Sequence, residues 1–209
     1  MAIKVTEKVF NHGIGRGLFF PITAGTHGSA VEVKGLTAQS EDPSADNTNI
    51  WADMEGRAFF TQQGTVTRET EITALEYPEE MKTHALGKKK VGIGLINDPQ
   101  AYKQFGIAFG EWRNVAGKEV LEINIYYALT ASPVSVERAA DEDSLTATEK
   151  TITCAVNNFD AAGTDYFSFV VDPNDPADEN LWALEKMYTT GEILLPTDTK
   201  PEALKTFTK

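Results

Sequence analysis

The sequence predicts a mainly β protein, an antiparallel β-sandwich or barrel with one flanking α-helix, a long inter-strand loop and a second short helix near the C-terminus. Alternation of apolar and polar residues recurs along the chain, which is typical of strands that bury one face. Only two segments carry helical periodicity, and they do not alternate with strands as βαβ units require. The chain has 209 residues, 41% of them hydrophobic, which is sufficient for one large domain.

Three regions are expected along the chain. Residues 1–17 are interpreted as an N-terminal arm because Gly13, Gly15 and Gly17 make the backbone flexible or bent. Residues 18–176 form the β-sandwich domain. Residues 177–209 form a C-terminal helix followed by an extended tail, separated from the sandwich by the strong breaker at 172–176.

Alternation defines the strands. The predicted strands cover residues 18–22, 30–36, 65–75, 91–96, 105–112, 119–129, 150–156 and 165–171. In the longest pattern, Leu121, Ile123, Ile125, Tyr127 and Leu129 are expected on one face, against Glu122, Asn124 and Tyr126 on the other. The strand 65–75 has an almost wholly polar face and a mixed face, so we expect one side in water and the other on a core.

The helices are marked by their ends. Pro78 suits the first turn of a helix over 77–86, and Met81 and Ala85 share one face at i, i+4 spacing. Gly87 is expected to end this helix, and Lys88 to Lys90 lie near its negative end. Periodicity predicts the second helix over 179–188, with Gly191 as its stop.

A long polar segment, residues 36–49, separates two of these strands. It contains no large apolar side chain after its first residue, so we interpret it as a loop, and it is followed at once by Ile50 and Trp51. Loops of this length in a compact domain are functional or disordered. Trp51 is either a core anchor for the loop or an anchor on a partner, because tryptophan is enriched in interface hot spots. The interface candidates are Phe10, Asp46, Ile50, Trp51 and Asp53.

Charge and cysteine content exclude several classes of function. With 31 acidic and 19 basic residues, the net charge is -12, which repels phosphate and disfavours a basic nucleic-acid interface. The single cysteine, Cys154, excludes an internal disulfide and is expected to be a small buried hydrophobe. No apolar run approaches the roughly 20 residues of a membrane helix, so no membrane association is expected.

Motifs that carry chemistry are absent from the sequence. His12, His27 and His84 do not stand in any recognisable catalytic constellation, and neither a phosphate-binding loop nor a dinucleotide fingerprint is complete. Accordingly, no catalytic residue, metal site or cofactor is predicted, and the protein is not expected to be an enzyme.

Two acidic clusters leave alternatives open. The oxygen-bearing residues Glu41, Asp42, Asp46, Asn47 and Asp53 are of the type that calcium uses, but their spacing does not match an EF-hand and a solvated loop is the simpler interpretation. The carboxylates of Asp141, Glu142 and Asp143 could serve acid–base chemistry, but a solvated loop is again the simpler interpretation. A calcium- or carbohydrate-binding β-sandwich module is therefore the alternative function.

The order of these patterns resembles a known family. The element Asp46-Asn47-Thr48-Asn49-Ile50-Trp51-Ala52-Asp53 is similar to the "aromatic-Ala-Asp" loop of the major tail proteins, or tail tube proteins, of long-tailed siphophages. The strand at 64–75, the helix at 78–86 and the segment at 88–95 resemble that family's next block. Its closing strands resemble 106–109, 119–129 and 151–156, so the resemblance covers roughly residues 15–171.

This resemblance implies a structural virion protein. Subunits of such a family close into hexameric rings, and the rings stack into a tube around a tape measure protein that later conducts DNA without binding it specifically. The implied partners are further copies of the chain, the tape measure protein, the tail terminator and the baseplate or distal tail proteins. The implied location is the virion tail, after assembly in the host cytoplasm, with neither cofactor nor active site.

Overall fold

The computed structural model describes residues 17–51, 58–115, 118–133, 149–160 and 163–201. The described chain is mainly β with antiparallel pairing, which confirms the predicted fold class. The strands are β1 Gly17–Thr23, β2 Thr26–His27, β3 Val31–Val33, β4 Leu36–Trp51, β5 Ala58–Ala74, β6 Lys88–Val91, β7 Gly94–Asn97, β8 Phe105–Val115, β9 Lys118–Ala131, β10 Lys150–Asn157 and β11 Tyr166–Val171. The helices are α1 Glu79–Ala85 and α2 Leu181–Glu185, the latter continuing as a π-helical turn, Lys186–Thr190.

One sheet of nine strands organises the molecule. Its main path runs β2-β1-β8-β9-β10-β5-β4, with β3 added to β1 and β11 added to β9. β6 and β7 form a separate two-stranded sheet. Among the described strands, β4 therefore lies at one end of the main sheet and pairs only with β5.

The prediction of a long loop at 36–49 was wrong, because this segment is the edge strand β4. Its register with β5 runs from Leu36 opposite Ala74 to Trp51 opposite Ala58. An edge strand needs no continuous apolar face, and it tolerates proline, here Pro43. The polar composition that indicated a loop is thus compatible with a strand whose hydrogen bonds are supplied by β5.

The two-faced character predicted for 65–75 is confirmed. Thr70, Ile72 and Ala74 of β5 are fully or almost fully buried, whereas Glu69 and Glu71, which alternate with them, are exposed. This alternation fixes which side of β5 contacts the core.

Hydrophobic clusters lie on both sides of the main sheet, because neighbouring residues of a strand point to opposite faces. In β1, Phe19 belongs to the first cluster, whereas Leu18 and Phe20 belong to the second. α1 covers the first cluster with Met81 and Ala85, as its predicted i, i+4 face requires.

The C-terminal segment covers the second cluster. It contributes Ala183, Leu184, Met187 and Leu194, and the Tyr127 hydroxyl donates a hydrogen bond of 2.7 Å to the Leu194 carbonyl. The predicted helix at 179–188 is confirmed in place, and Gly191, at φ 73°, ends the helical segment as expected. Residues 181–195 thus share a core with the sheet.

A β-bulge in β9 changes one predicted face. Phe105 of β8 pairs with Leu129, and Ile107 pairs with Tyr126, so Gly106 stands opposite both Tyr127 and Ala128. Beyond this bulge the pleat is reversed, and Leu129 joins the first cluster rather than the second.

The other face predicted for β9, which carries Asn124 and Tyr126, is buried as well. Asn124 is 8% exposed and Tyr126 is 3% exposed, because both sides of this central strand are covered. Tyr166 of β11 donates a hydrogen bond to the Asn124 side chain, which satisfies part of the polar group that burial removes from water.

The single strand predicted at 91–96 is instead a hairpin of β6 and β7. Gly92, at φ 60°, occupies the first central position of its two-residue turn, where type II′ turns place glycine. Gly94, two residues further on, is the first residue of β7. In the described part of the chain, no helix is both long enough and apolar enough to cross a bilayer.

Candidate assembly surface

The most prominent surface feature is the ribbon formed by β4 and β5. β10 pairs with β5 only from Glu69 to Ala74, whereas β4 pairs with β5 as far as Trp51 and Ala58. The two strands therefore continue for about 30 Å past the last β10 contact, at about 3.3 Å per residue. Along this distance β4 and β5 pair only with each other among the described residues.

A polar sheet face covers one side of β10, β5 and β4. Residues that pair directly across antiparallel strands share a face, which places Asp42 with Glu69 and Ser40 with Glu71. The polar sheet face comprises Ser40, Asp42, Ser44, Thr67, Glu69, Glu71, Thr73, Thr151 and Thr153. Neighbouring hydroxyls on it are hydrogen-bonded, Ser44 to Thr67 at 2.9 Å and Thr73 to Thr151 at 2.8 Å.

Like charges stand opposite each other on this face. The carboxylates of Asp42 and Glu69 occupy a cross-strand pair, an arrangement that destabilises an isolated sheet. Glu71 lies two residues further along β5, and all three side chains are exposed. None of the residues that define the face is a lysine or arginine. Among the described residues, no ion pair on this face offsets the repulsion.

A polar network on the opposite side of the ribbon holds it against the body of the protein. The Tyr126 hydroxyl donates to Glu41 at 2.7 Å and accepts from the Gln39 amide at 3.0 Å. Arg68 forms an ion pair of 3.0 Å with Asp165, just before β11. Burial, followed by the hydrogen bond to the Glu41 carboxylate, raises the pKa of Tyr126, so the phenol stays protonated.

The predicted interface residues are spread along the ribbon and beyond it. Asp46 lies at a bulge, between Ala45 and Asn47, and Ile50 pairs with Phe60 near the end of β4. Trp51 is the last residue of β4. The prediction that these residues act as an interface stays a prediction, and Phe10 and Asp53 lie outside the described residues.

The candidate calcium ligands do not converge where the structure describes them. Glu41 and Asp42 are neighbours in a strand, so they point to opposite faces, and Glu41 is engaged by Tyr126 and Arg68. In the described ranges, no group of three or more His, Cys, Asp or Glu side chains could hold a metal ion. Residues 141–143 of the second acidic cluster lie outside those ranges.

The remaining sequence candidates are placed as follows. Cys154 is fully buried in the first cluster, as predicted, and burial raises the pKa of its thiol to about 12. His27 donates from Nε2 to the Tyr127 carbonyl at 2.7 Å, and its ring centroid lies 4.3 Å from that of Phe159 with the two rings tilted by 37°. Burial lowers the pKa of His27, which favours this neutral, hydrogen-bonded form.

No protein-family model matches the chain, and no curated protein is significantly similar to it in sequence. The open strand β4, the polar sheet face and the network that supports them are therefore interpreted from their own geometry.

Sequence reasoning missed two surface features. One is the β6–β7 hairpin, in which residues 89–97 are all exposed although Val91, Ile93 and Ile96 are large and apolar. The other is a cleft of about 570 Å³ on the outer side of the C-terminal segment, lined among others by Trp182 and Pro201. The glycines of the hairpin, spaced two residues apart around one isoleucine, were the signal for a turn.

Proposed function

We propose that this protein is a structural subunit that self-assembles into stacked rings, forming a tail tube through which DNA passes. The observation that carries the proposal is the edge strand β4, which is 16 residues long and pairs on one side only among the described strands. A long unpaired edge promotes association between chains. A closed ring converts that edge into the joint between neighbouring subunits.

The polar sheet face supports the same function. It offers hydroxyl and carboxylate groups to water, and its acids include Asp42, Glu69 and Glu71. Placed on the inner wall of a ring, these carboxylates repel the phosphates of DNA and keep the polymer from adhering to the wall. The pairing of Asp42 with Glu69, which lowers subunit stability, then contributes negative charge to the inner wall.

Self-assembly of the purified chain tests the proposal. Sedimentation velocity over rising protein concentration is expected to show a transition from monomers to rings and longer species, and negative-stain electron microscopy is expected to show tubes. A chain that remains monomeric at high concentration, even with the partner proteins present, would contradict the function.

Two adjacent proline variants provide a matched control for the role of β4. In an antiparallel pair, successive N–H groups of a strand point alternately toward its partner and away from it. Of Thr48→Pro and Asn49→Pro, one therefore removes a hydrogen bond to β5 and the other removes only a donor on the outer edge. The outer-edge variant is expected to keep the subunit's thermal stability and to lose assembly. Equal assembly by wild type and both variants would exclude β4 as the joint.

The wall function has a test of its own. In assembled particles, the variant Glu69→Gln/Glu71→Gln is expected to retain more double-stranded DNA at low salt than wild type does, because it removes two negative charges from the polar sheet face. Equal retention by both proteins would show that this face does not line the conduit.

A further inference from the structure

The β6–β7 hairpin carries apolar side chains that are exposed to solvent. Ile93 at its turn is fully exposed, and Val91 and Ile96 are each 52% exposed. An isolated two-stranded hairpin is at best marginally stable in water, and exposed apolar clusters mark interaction sites. Within the described chain, residues 89–97 pack against nothing that buries them.

The charge of the hairpin identifies its partner. Lys88, Lys89 and Lys90 form a basic run in a segment without acids, on a chain whose net charge is -12. Lys89 pairs across the hairpin with Ile96, so a cation and an apolar group share one face. The complementary surface has to be acidic at its rim and apolar inside.

The cleft on the C-terminal segment has these properties. Trp182 and Pro201 contribute apolar surface, and Glu185 and Glu192 are exposed carboxylates beside them. The lysine of the cleft, Lys186, is held by Asp198 at 2.7 Å. Glu185 and Glu192 form no ion pair with another described residue, so their charges face solvent.

Hairpin and cleft cannot meet within one molecule. The hairpin follows α1 and is tied to it by an ion pair of 2.7 Å between Lys90 and Glu79, and α1 lies on the first cluster. The cleft lies on the segment that covers the second cluster, on the opposite side of the sheet. Two complementary surfaces on opposite sides of one chain produce head-to-tail contacts, which close into rings or continue as filaments.

We propose that the tip of the β6–β7 hairpin inserts into the C-terminal cleft of a second copy of this chain. This inference rests on the proposed self-assembly and specifies one contact that drives it. Ile93 and Ile96 enter beside Trp182, while Lys88 and Lys89 lie against Glu185 and Glu192. The contact is heterologous, so each subunit donates one hairpin and accepts another.

Charge reversal tests the contact directly. The hairpin variant is Lys88→Glu/Lys89→Glu, and the cleft variant is Glu185→Lys/Glu192→Lys. Each alone places like charges together, and we expect its assembly to require about tenfold more protein or more. When the two are mixed, each contact between unlike chains joins opposite charges, so assembly with alternating chains is expected to return toward the wild-type level.

The outcomes separate this inference from the function on which it rests. A wild-type chain that does not assemble overturns both. A wild type that assembles, together with variants that assemble equally well or a mixture that is not restored, overturns only the hairpin contact. The wild-type chain could instead bind vesicles of anionic phospholipid without self-association. If Ile93→Asp abolished that binding, the hairpin would be assigned to a lipid surface.

Cysteine crosslinking supplies a readout that does not depend on charge. Mixed under mild oxidation, Ile93→Cys and Thr189→Cys chains are expected to form a disulfide-linked heterodimer faster than either single variant forms a homodimer. The native Cys154 is buried and contributes little background. Crosslinking at the same rate in Glu80→Cys mixed with Ile93→Cys would contradict the assignment, because Glu80 is an exposed residue of α1 that does not line the cleft.

Discussion

The phenol oxygen of Tyr126 lies 2.7 Å from a carboxylate oxygen of Glu41, and this hydrogen bond joins the central strand β9 to the edge strand β4. The same phenol accepts a bond from Gln39, so one side chain of the core orients two residues of the edge. Among the described strands β4 pairs with β5 alone, so Tyr126 and the Arg68–Asp165 ion pair help to hold the ribbon against the body of the protein.

Tyr126→Phe is expected to lower the free energy of unfolding by about 1–2 kcal/mol, the usual loss for a hydrogen bond to a charged acceptor that is partly exposed. The ring remains, so its packing on Phe109 is preserved. Urea denaturation measures the change, and a cycle with Glu41→Ala, which removes the acceptor, isolates the pair. Additive effects of the two substitutions would show that the bond does not couple β9 to β4.

Glycine substitutions around the hairpin form a graded series. Gly87 has a φ of 65°, and a Cβ there would lie 2.4 Å from the Tyr102 ring. Gly92 has a φ of 60°, but a Cβ there would have no atom within 4 Å. Gly94 has neither a positive φ nor a close neighbour. Alanine at Gly92 is expected to cost about 1–2 kcal/mol for the left-handed backbone. Alanine at Gly87 is expected to cost more, and at Gly94 very little.

Thermal or urea unfolding of the three alanine variants checks this order. The comparison between Gly87 and Gly92 reports mainly the steric contribution, because both have positive φ angles of similar size. A loss at Gly87 no larger than the loss at Gly92 would mean that Tyr102 moves away at negligible cost.

The fold class could be predicted because alternation in the sequence directly reports burial on one face. Ile72 and Glu71 of β5, or Ile152 and Thr151 of β10, alternate in the sequence as they do in the structure. Both helices were predictable from their ends, since Gly87 and Gly191 both adopt the left-handed backbone that stops a helix.

The edge strand and the bulge could not be predicted, because both depend on the partner strand. β4 is polar on both faces, so its pairing depends on the partner strand β5, and period 2 is not visible in residues 38–49. Likewise, Leu129 follows the alternation of β9 in sequence, but the bulge opposite Gly106 places it on the other side. Pairing with residues distant in the sequence determines both the edge strand and the bulge, and the local pattern of residue types does not reveal it.

The candidate surfaces were only partly accessible to sequence reasoning. The interface predicted around Trp51 rests on an apolar pair within a polar run and stays a prediction, and the stretch belongs to a ribbon and not to a loop. The hairpin was missed because Val91, Ile93 and Leu95 have the spacing of a buried strand face. Exposure of apolar residues is a property of tertiary structure, which a pattern of residue types does not report.

His27 makes the stability of the fold dependent on pH. Burial lowers its pKa in the folded protein below the usual value of 6.5. Below about pH 6.5 the unfolded chain therefore binds this proton more readily than the folded chain does, and stability falls as the pH falls. Above that pH both states hold a neutral imidazole, and His27 contributes no pH dependence.

Urea denaturation at a series of pH values between 7.5 and about 5 measures this effect. His27→Gln retains a donor for the Tyr127 carbonyl but does not titrate, so it is the matched control. The wild-type midpoint is expected to fall more steeply with acidification than that of the variant. Parallel pH dependences would assign the acid sensitivity to carboxylates elsewhere.

Trp51 separates a role in assembly from a role in folding. It ends β4 opposite Ala58, at the far end of the ribbon from the strands that form the two clusters. If it anchors a neighbouring subunit, Trp51→Ala leaves the unfolding free energy of the monomer within about 0.5 kcal/mol. Assembly is then weakened by about 2 kcal/mol or more, roughly thirtyfold in concentration.

Trp112→Ala is the matched control, because Trp112 packs against the second cluster. Its truncation is expected to destabilise the subunit itself by about 3 kcal/mol. The two variants should therefore differ in their effects. Trp112→Ala is expected to lower subunit stability in denaturation, and Trp51→Ala to weaken assembly in sedimentation velocity. If Trp51→Ala instead lowers the denaturation midpoint as far as Trp112→Ala does, then Trp51 anchors its own domain, and the joint between subunits has to be sought along the outer edge of β4.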